Sequence, residues 1–335
     1  MRESNTNSTA YVRKFSFRPF EGFRRGRVYR LAAVSWYWWI HQWERSRAIK
    51  ILIGFLLFTF VLMNMFILTF RDLMLINPYT GEAISPNQLL EDTILQMIRG
   101  IVSFGMTFTA SGDTSNGFSE ASFNVGGTSI FILILVVLVG SGLISDDISN
   151  QTTEIYYSKL ERHEYILGKF GAFFIFGNIV LTLPYVFEFF LLVIGIGEID
   201  LITALPVFVH TIVFTELITV TYSSIVLAFS SITRRRLYAG LSAFMFLFVA
   251  NMIVTSLAFT GGEVGLEILF DVLTVLLLSS YILTGTTTVR LQGFYEVNLT
   301  DGVGLESWMI LGALGFYILI GFLIVVVQVY WRHGK

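Results

Sequence analysis

Six apolar segments, each close to the length that crosses a bilayer, constrain this chain more than any other feature. A hydrocarbon core about 30 Å thick requires about 20 apolar residues per helix. Of the 335 residues, 54% are hydrophobic and only 14% are charged, whereas a soluble domain has about 25% charged residues. The sequence therefore predicts an all-α integral membrane protein with spans at residues 48–70, 128–144, 167–196, 202–232, 237–259 and 308–331.

The basic residues predict how these spans are oriented, because cytoplasmic loops are enriched in Lys and Arg. With the N-terminus in the cytoplasm, 19 of the 22 Lys and Arg residues lie on the cytoplasmic side. Only Arg71, Arg99 and Arg290 then lie outside. We therefore expect a multi-pass protein of the cell membrane with both termini in the cytoplasm.

A seventh apolar run, residues 266–283, is interrupted by Asp271. If this run crossed the membrane completely, it would place the basic C-terminal tail outside. We therefore expect it to be a re-entrant helix within an outer segment, 260–306, although a full span is the alternative.

The two segments that flank the first span also predict specific roles. Basic and aromatic residues alternate through the N-terminal segment 1–47, a pattern found in nucleic-acid-binding proteins and in helices at the membrane interface. Next to a span the second interpretation is favoured, so we expect an elbow helix at 30–47 that contacts membrane lipid, and no nucleic-acid partner. The outer loop 71–127 is long enough to be functional or to bind a partner.

A short polar stretch separates the second and third spans. Within residues 145–166, apolar side chains recur at helical intervals between charged ones. This pattern predicts an amphipathic helix of about four turns along the inner membrane surface. One interpretation is a connecting helix that only rests on lipid headgroups.

A second interpretation comes from a resemblance. The stretch resembles the signature of the type-2 permease family of ATP-binding cassette (ABC) exporters, in which a Gly and an acidic residue precede a Gly-Thr-Leu-Glu-like helix. An Arg, an acidic residue and a Gly-Lys pair that opens the next membrane helix follow. Gln151 stands where that family usually has Gly, and the Pro that usually follows the Ser is missing. The matching residues are Gly142, Asp146 or Asp147, Thr152, Glu154, Ser158, Arg162, Glu164, Gly168 and Lys169.

The resemblance implies that this chain is the permease subunit of an exporter, with 145–166 as its coupling helix. The implied partners are a separate cytosolic ABC ATPase subunit, which binds ATP and Mg, and a second permease copy, identical or related, that completes the translocation path. The chain itself would hold no cofactor. The residues that the resemblance assigns to ATPase coupling are Asp146, Asp147, Asn150, Glu154, Glu161 and Arg162.

Missing motifs exclude several chemistries for this chain. It has no G-x-x-x-x-G-K-[ST] phosphate-binding loop, so we expect no ATPase activity of its own. Four His and no Cys make a zinc site unfavourable, and the G-x-S-x-G motif of serine hydrolases is absent. We therefore do not expect an enzyme.

Three ionisable residues lie at membrane depth, where an unpaired charge is costly. Glu188, His210 and Glu216 are candidates for the translocation path, although each could instead be satisfied by helix contacts. A tight hairpin between the third and fourth spans predicts that Glu216 lies level with Leu181, and Glu188 level with His210. Two other functions remain open: an ion- or proton-coupled secondary transporter that uses these residues, and a non-transporting scaffold whose outer loop binds a partner.

Overall fold

The computed structural model describes residues 26–70, 83–103, 106–110, 121–125, 127–153, 156, 160–197, 199–261, 266–285, 288–291, 295–298 and 306–331. Within these ranges the chain is predominantly helical and includes two short antiparallel hairpins. Among the described residues, six helices are long and apolar enough to cross a membrane. The predicted number of spans is therefore confirmed, and the architecture is typical of a multi-pass membrane protein.

The elements follow one another in an order that places the six long helices around one apolar core. The strands pair as β1 with β2 and β3 with β4. The elements are α1 Arg27–Arg45, α2 Arg47–Thr69, α3 Pro86–Arg99, β1 Met106–Ala110, β2 Ala121–Val125, α4 Gly127–Ser149, α5 Arg162–Gly177, α6 Leu183–Ile196, α7 Leu201–Ile232, α8 Arg236–Gly261, α9 Val272–Leu283, β3 Thr288–Leu291, β4 Tyr295–Asn298 and α10 Ser307–Trp331.

Helix α4 lies at the centre of the bundle, and α2 lies at its periphery. In α4, 72% of the residues in the apolar segment are buried, against 17% in α2. Ser230 of α7 fixes α4 by its hydroxyl group, which accepts from the N–H of Ser145 (3.0 Å) and donates to the carbonyl of Ser141 (2.8 Å). The large apolar side chains that α2 exposes are those expected to face lipid.

Helices α5 and α6 belong to one helical segment of 35 residues, Arg162–Ile196. A π-helical turn at Asn178–Thr182 joins them. Such turns insert one extra residue into a helix and are common at functional sites. Pro184 follows the turn and lacks the N–H that a regular helix would direct to Val180. Pro184 and the π turn thus form one stretch of irregular backbone within the third span.

The hairpin between α6 and α7 has the predicted register. Gly197 turns the chain with a φ of 71°, and the side chain of Asp200 caps α7 by accepting from the N–H of Ile202 (3.2 Å). The rings of Phe189 and Phe208 are 5.0 Å apart across the hairpin. These contacts fit the predicted level of Glu188 with residues 209–210.

The segment 145–166, predicted as one amphipathic helix, is not one helix. Its first residues continue α4, which ends at Ser149 rather than at 144. The helix continues because Ile144 is buried and Ile148 packs against the apolar core, so these two apolar residues belong to the second span and not to a surface helix. At the other end, Arg162 is the first residue of α5, within the third span.

The end of α4 has the hydrogen bonds of a Schellman motif. The N–H of Thr152 donates to the carbonyl of Asp147 (3.1 Å), and the N–H of Gln151 donates to that of Ile148 (3.4 Å). Gln151 has a φ of 56°, in the left-handed region that favours glycine. The position at which the resembling family has Gly is thus one where the backbone itself favours Gly.

The apolar run 266–283 divides at Asp271 into a 3-10 turn, Leu266–Phe270, and the 12-residue helix α9. Asp271 caps α9 by accepting from the N–H of Leu273 (3.0 Å), which explains the acidic residue within an apolar run. α9 is too short to cross a bilayer, and it packs against α10. Gly321 of α10 in turn lies against the backbone of Ser224 in α7.

Candidate functional site

A buried ion pair joins α4 to α5 at the end of the bundle where the chain passes from one to the other. The Nζ atom of Lys169 lies 2.6 Å from Oδ2 of Asp147, and both side chains are almost fully buried. Lys169 also donates to the carbonyl of Leu143, and the hydroxyl of Tyr165 donates to Oδ2 of Asp147 (2.7 Å). The cation and the carboxylate therefore both have hydrogen bonds beyond their own contact, as a stable buried pair requires.

Three aromatic rings surround the same ammonium group. Its nitrogen lies 2.9 Å from the centroid of the Trp38 ring, 5.1 Å from that of Tyr165 and 5.9 Å from that of Tyr156. Aromatic faces attract a desolvated cation. Burial, and then the charge on Asp147, raises the pKa of the Tyr156 phenol to about 12, so this ring stays neutral at physiological pH.

Trp38 belongs to α1, and α1 packs closely along α5. The hydroxyl of Ser35 donates to the carbonyl of Gly168 (3.1 Å). A Cβ atom at Gly168 or at Gly171 would come within 3 Å of α1 side chains, so both glycines are needed for this approach. Gly168 and Lys169, adjacent in the sequence motif, thus have distinct roles: the first admits α1, and the second carries the buried charge.

Further ion pairs continue this contact toward the surface. Arg30 lies 2.8 Å from the buried carboxylate of Glu164, and Arg27 lies 3.5 Å from the exposed carboxylate of Glu161. The backbone N–H of Glu161 donates to Oε2 of Glu164 (3.2 Å), as in a capping box at the start of α5. The exposed pair contributes little to stability, whereas the buried one fixes α1 on α5.

The two adjacent acids of α4 face different helices. Asp147 faces α5, whereas Oδ2 of Asp146 lies 4.0 Å from Arg236, at the start of α8. Arg236 also donates to the carbonyl of Leu138 (2.5 Å). This end of α4 is therefore connected by charged contacts to both the third and the fifth span.

The six residues assigned to ATPase coupling do not form one exposed face. Asp147 is only 2% exposed, which is contrary to the expectation that it would meet a partner. Asn150 is exposed in the turn after α4, Glu161 precedes α5, and Arg162 donates to the carbonyl of Tyr330 in α10 (3.3 Å). Glu154 lies outside the described residues.

The three ionisable residues at membrane depth have separate partners. Glu188 accepts from the amide of Asn64, and His210 lies 3.2 Å from the hydroxyl of Ser280. The carboxylate of Glu216 contacts Asn178 and Thr182. Among the described residues, no hydrogen bond or ion pair joins any two of Glu188, His210 and Glu216.

The contacts of Glu216 confirm its predicted level with Leu181. Its two carboxylate oxygens accept from Thr182 (3.3 Å) and Asn178 (3.4 Å), which lie on either side of Leu181 in sequence. Both partners belong to the π-helical turn. The turn and the acid are therefore parts of one polar contact between α7 and the third span.

Two further buried ionisable residues, Asp271 and Arg99, were not predicted as site residues. Asp271 accepts from Asn251 (2.6 Å) and from Thr274. Arg99 donates to Ser280 (3.1 Å), and its guanidinium lies 3.8 Å from the ring centroid of Tyr281. Burial lowers the pKa of Arg99 from its ordinary value, but an arginine remains charged. Their position inside apolar surroundings was the available signal.

No group of three or more His, Cys, Asp or Glu residues suited to a metal occurs within the described ranges. No family model matches the sequence, and comparison with the curated proteins finds no similar sequence.

Proposed function

We propose that this chain is the membrane-spanning permease subunit of an ATP-driven ABC exporter. The observation that carries the proposal is the exposed turn at Asn150 and Gln151, which lies between Asp147 and Lys169 in the sequence and close to the buried pair that they form. The pair joins α4 to α5 beside this turn, so a force that a partner applies to the turn would act on two spans together.

In this proposal a cytosolic ATPase subunit, which binds ATP and Mg, contacts the turn from the cytoplasm. Movement of the turn acts on α4 through the backbone and on α5 through Lys169. The helix α5 continues through the π turn into α6, so the movement reaches Glu216 and the α6–α7 hairpin. α1 takes the role of the elbow helix, since Trp38 binds to the same ammonium group.

The remaining parts of the proposal follow from the resemblance. A second permease copy, identical or related, encloses the path together with this chain, and α9 with its 3-10 turn is the outer re-entrant segment. Glu188, His210 and Glu216 stand near that path. Both termini lie in the cytoplasm of a cell-membrane protein.

The test is purification of the chain from its own membrane under mild conditions, followed by identification of what binds stoichiometrically. We expect a subunit that contains a phosphate-binding loop and whose ATP hydrolysis is increased by this chain in lipid nanodiscs. Transport by the purified chain alone, driven by an ion gradient, would support a secondary transporter instead. A stoichiometric outer partner without any ATPase would support the scaffold.

A further inference from the structure

Three acids within the apolar interior each accept from one asparagine amide. The pairs are Asn64 with Glu188, Asn178 with Glu216, and Asn251 with Asp271. All three pairs connect separate helical elements, so the amides hold the bundle together. The three carboxyl groups differ, however, in whether their second oxygen also accepts a hydrogen bond.

In two of the pairs both carboxyl oxygens accept a hydrogen bond. Glu216 accepts from Thr182 on Oε1 and from Asn178 on Oε2. Asp271 accepts from the N–H of Leu273 on Oδ1 and from Asn251 on Oδ2. An ionised carboxylate is an acceptor at both oxygens, and these two sites provide donors for both.

The Glu188 site lacks that second donor. Glu188 is 1% exposed, and its Oε2 accepts from the amide of Asn64. Among the described residues, its Oε1 has no hydrogen-bond partner, and neither does Oδ1 of Asn64. Glu188 and Asn64 are in contact, and each has one buried oxygen, Oε1 and Oδ1, that accepts no hydrogen bond. One hydrogen atom placed between these two oxygens would remove both deficits.

Among the described residues, no salt bridge joins Glu188 to a cation on a neighbouring helix. On α6, Tyr185 directs its hydroxyl to the carbonyl of Met97 (3.5 Å). On α3, Arg99 is held by Ser280 and Thr284, and on α7, His210 contacts Ser280.

On α2 the basic residues are Arg47 and Lys50. Lys50 lies 14 positions before Asn64, about 21 Å along the helix. An ionised Glu188 would thus be buried without an opposite charge, which is costly in an apolar interior.

We propose that Glu188 is a proton-binding site, and that its neutral carboxylic acid form closes α2 against α6. A proton taken up from water converts the carboxylate to the acid and places an O–H on Oε1. That O–H donates to Oδ1 of Asn64, while the amide of Asn64 continues to donate to Oε2. Acid and amide then exchange two hydrogen bonds, and no buried acceptor of the pair is left unsatisfied.

The position of Asn64 gives the proton a mechanical consequence. α2 is the least buried of the six spans, and Asn64 is one of only five buried residues that its helix contributes. Release of the proton removes one of the two bonds and leaves a buried charge, so α2 must separate from α6 or admit water. The proton therefore controls whether this peripheral span is closed. The inference rests on Asn64 and Glu188 and does not depend on the transport proposal.

The experiment is ¹³C NMR of the glutamate side-chain carboxyl carbons in the full chain, reconstituted in lipid nanodiscs at pH 7. The Glu188→Gln variant assigns one signal, and the Glu216→Gln variant provides the matched control. We expect the signal lost in Glu188→Gln to have the chemical shift of a carboxylic acid, and the signal lost in Glu216→Gln that of a carboxylate. A carboxylate shift for Glu188 at pH 7 would overturn the proposal.

A second variant, Asn64→Leu, can assign the Glu188 signal if Glu188→Gln folds poorly. Asn64→Leu leaves Glu188 in place but removes its partner, so it should shift the Glu188 signal alone and thereby assign it. Thermal unfolding supplies an independent measurement. If the folded protein holds this proton, wild-type stability falls as the pH rises through its release, and Glu188→Gln lacks that fall. The same pH dependence in both proteins would also contradict the proposal.

Discussion

Lys169 and Asp147 form a buried ion pair whose charged atoms are 2.6 Å apart. The contact joins the last turn of α4 to the third turn of α5, and Trp38 of α1 covers the ammonium group. A buried pair adds little net stability compared with apolar residues of similar volume, but loss of one partner alone is costly. The pair and the Trp38 ring thus connect three helices beside the exposed turn.

Removal of one partner should be far more harmful than removal of both. Lys169→Met leaves Asp147 buried and without its cation, which should cost about 3–5 kcal/mol of stability. Asp147→Asn combined with Lys169→Met should recover much of this loss, because neither site then carries a charge. Thermal unfolding in nanodiscs measures both variants, and a double variant no more stable than the single one would contradict this account of the pair.

Replacement of Gln151 with glycine should stabilise the protein. A left-handed backbone costs a non-glycine residue about 1–2 kcal/mol, and Gln151 has a φ of 56°. We therefore expect Gln151→Gly to raise the unfolding temperature. Gln151→Ala is the control, since alanine has the same backbone strain as glutamine. If Ala stabilises as much as Gly, the gain does not come from the backbone conformation.

The contact between α10 and α7 should depend on one glycine and not on its neighbour. A Cβ atom at Gly321 would lie 2.7 Å from the carbonyl of Ser224, whereas one at Gly315 would have no neighbour within 4 Å. Gly321→Ala should therefore destabilise the protein by about 1–3 kcal/mol. Gly315→Ala should be neutral or stabilising by up to about 1 kcal/mol, because alanine favours a helix. Equal effects of the two variants on thermal unfolding would rule out this close contact.

The predicted orientation can be tested because the chain has no cysteine of its own. A cysteine introduced at Asn298 should react with an impermeant thiol reagent in intact cells, and one at Asn150 should react only after permeabilisation. The physical reason is the excess of Lys and Arg on one side of the predicted spans. Labelling of Asn150→Cys in intact cells would contradict the predicted orientation.

The spans and the hairpin register could be predicted because each depends on local length and pattern. The level of Glu216 with Leu181 follows from counting along two helices that share a tight turn, and the contacts to Asn178 and Thr182 confirm it. The extent of α4 could not be predicted in the same way. Ile144 and Ile148 fit either a surface helix or a buried one, and only packing decides between them.

The buried site was only partly visible in the sequence. Lys169 lies inside an apolar segment, which already marks a charge that needs a partner. Its partner could not be identified, because Asp146 and Asp147 are adjacent in sequence and contact different helices in the structure. The pairing depends on the rotation of α4 relative to α5, which is a property of the assembled bundle.

The most direct test of the proposed function changes Asn150 to Arg and measures ATP hydrolysis by the ATPase subunit that we expect to co-purify with the chain. This residue is exposed in the turn, so the added bulk and charge should weaken docking without disturbing the core. Glu91→Arg, an exposed site in α3 at the opposite end of the bundle, is the control. We predict that Asn150→Arg lowers ATPase binding about tenfold, ~1.4 kcal/mol, and removes the stimulated hydrolysis, while Glu91→Arg changes neither. Wild-type binding and hydrolysis in a folded Asn150→Arg variant would contradict the claim that this turn receives the ATPase.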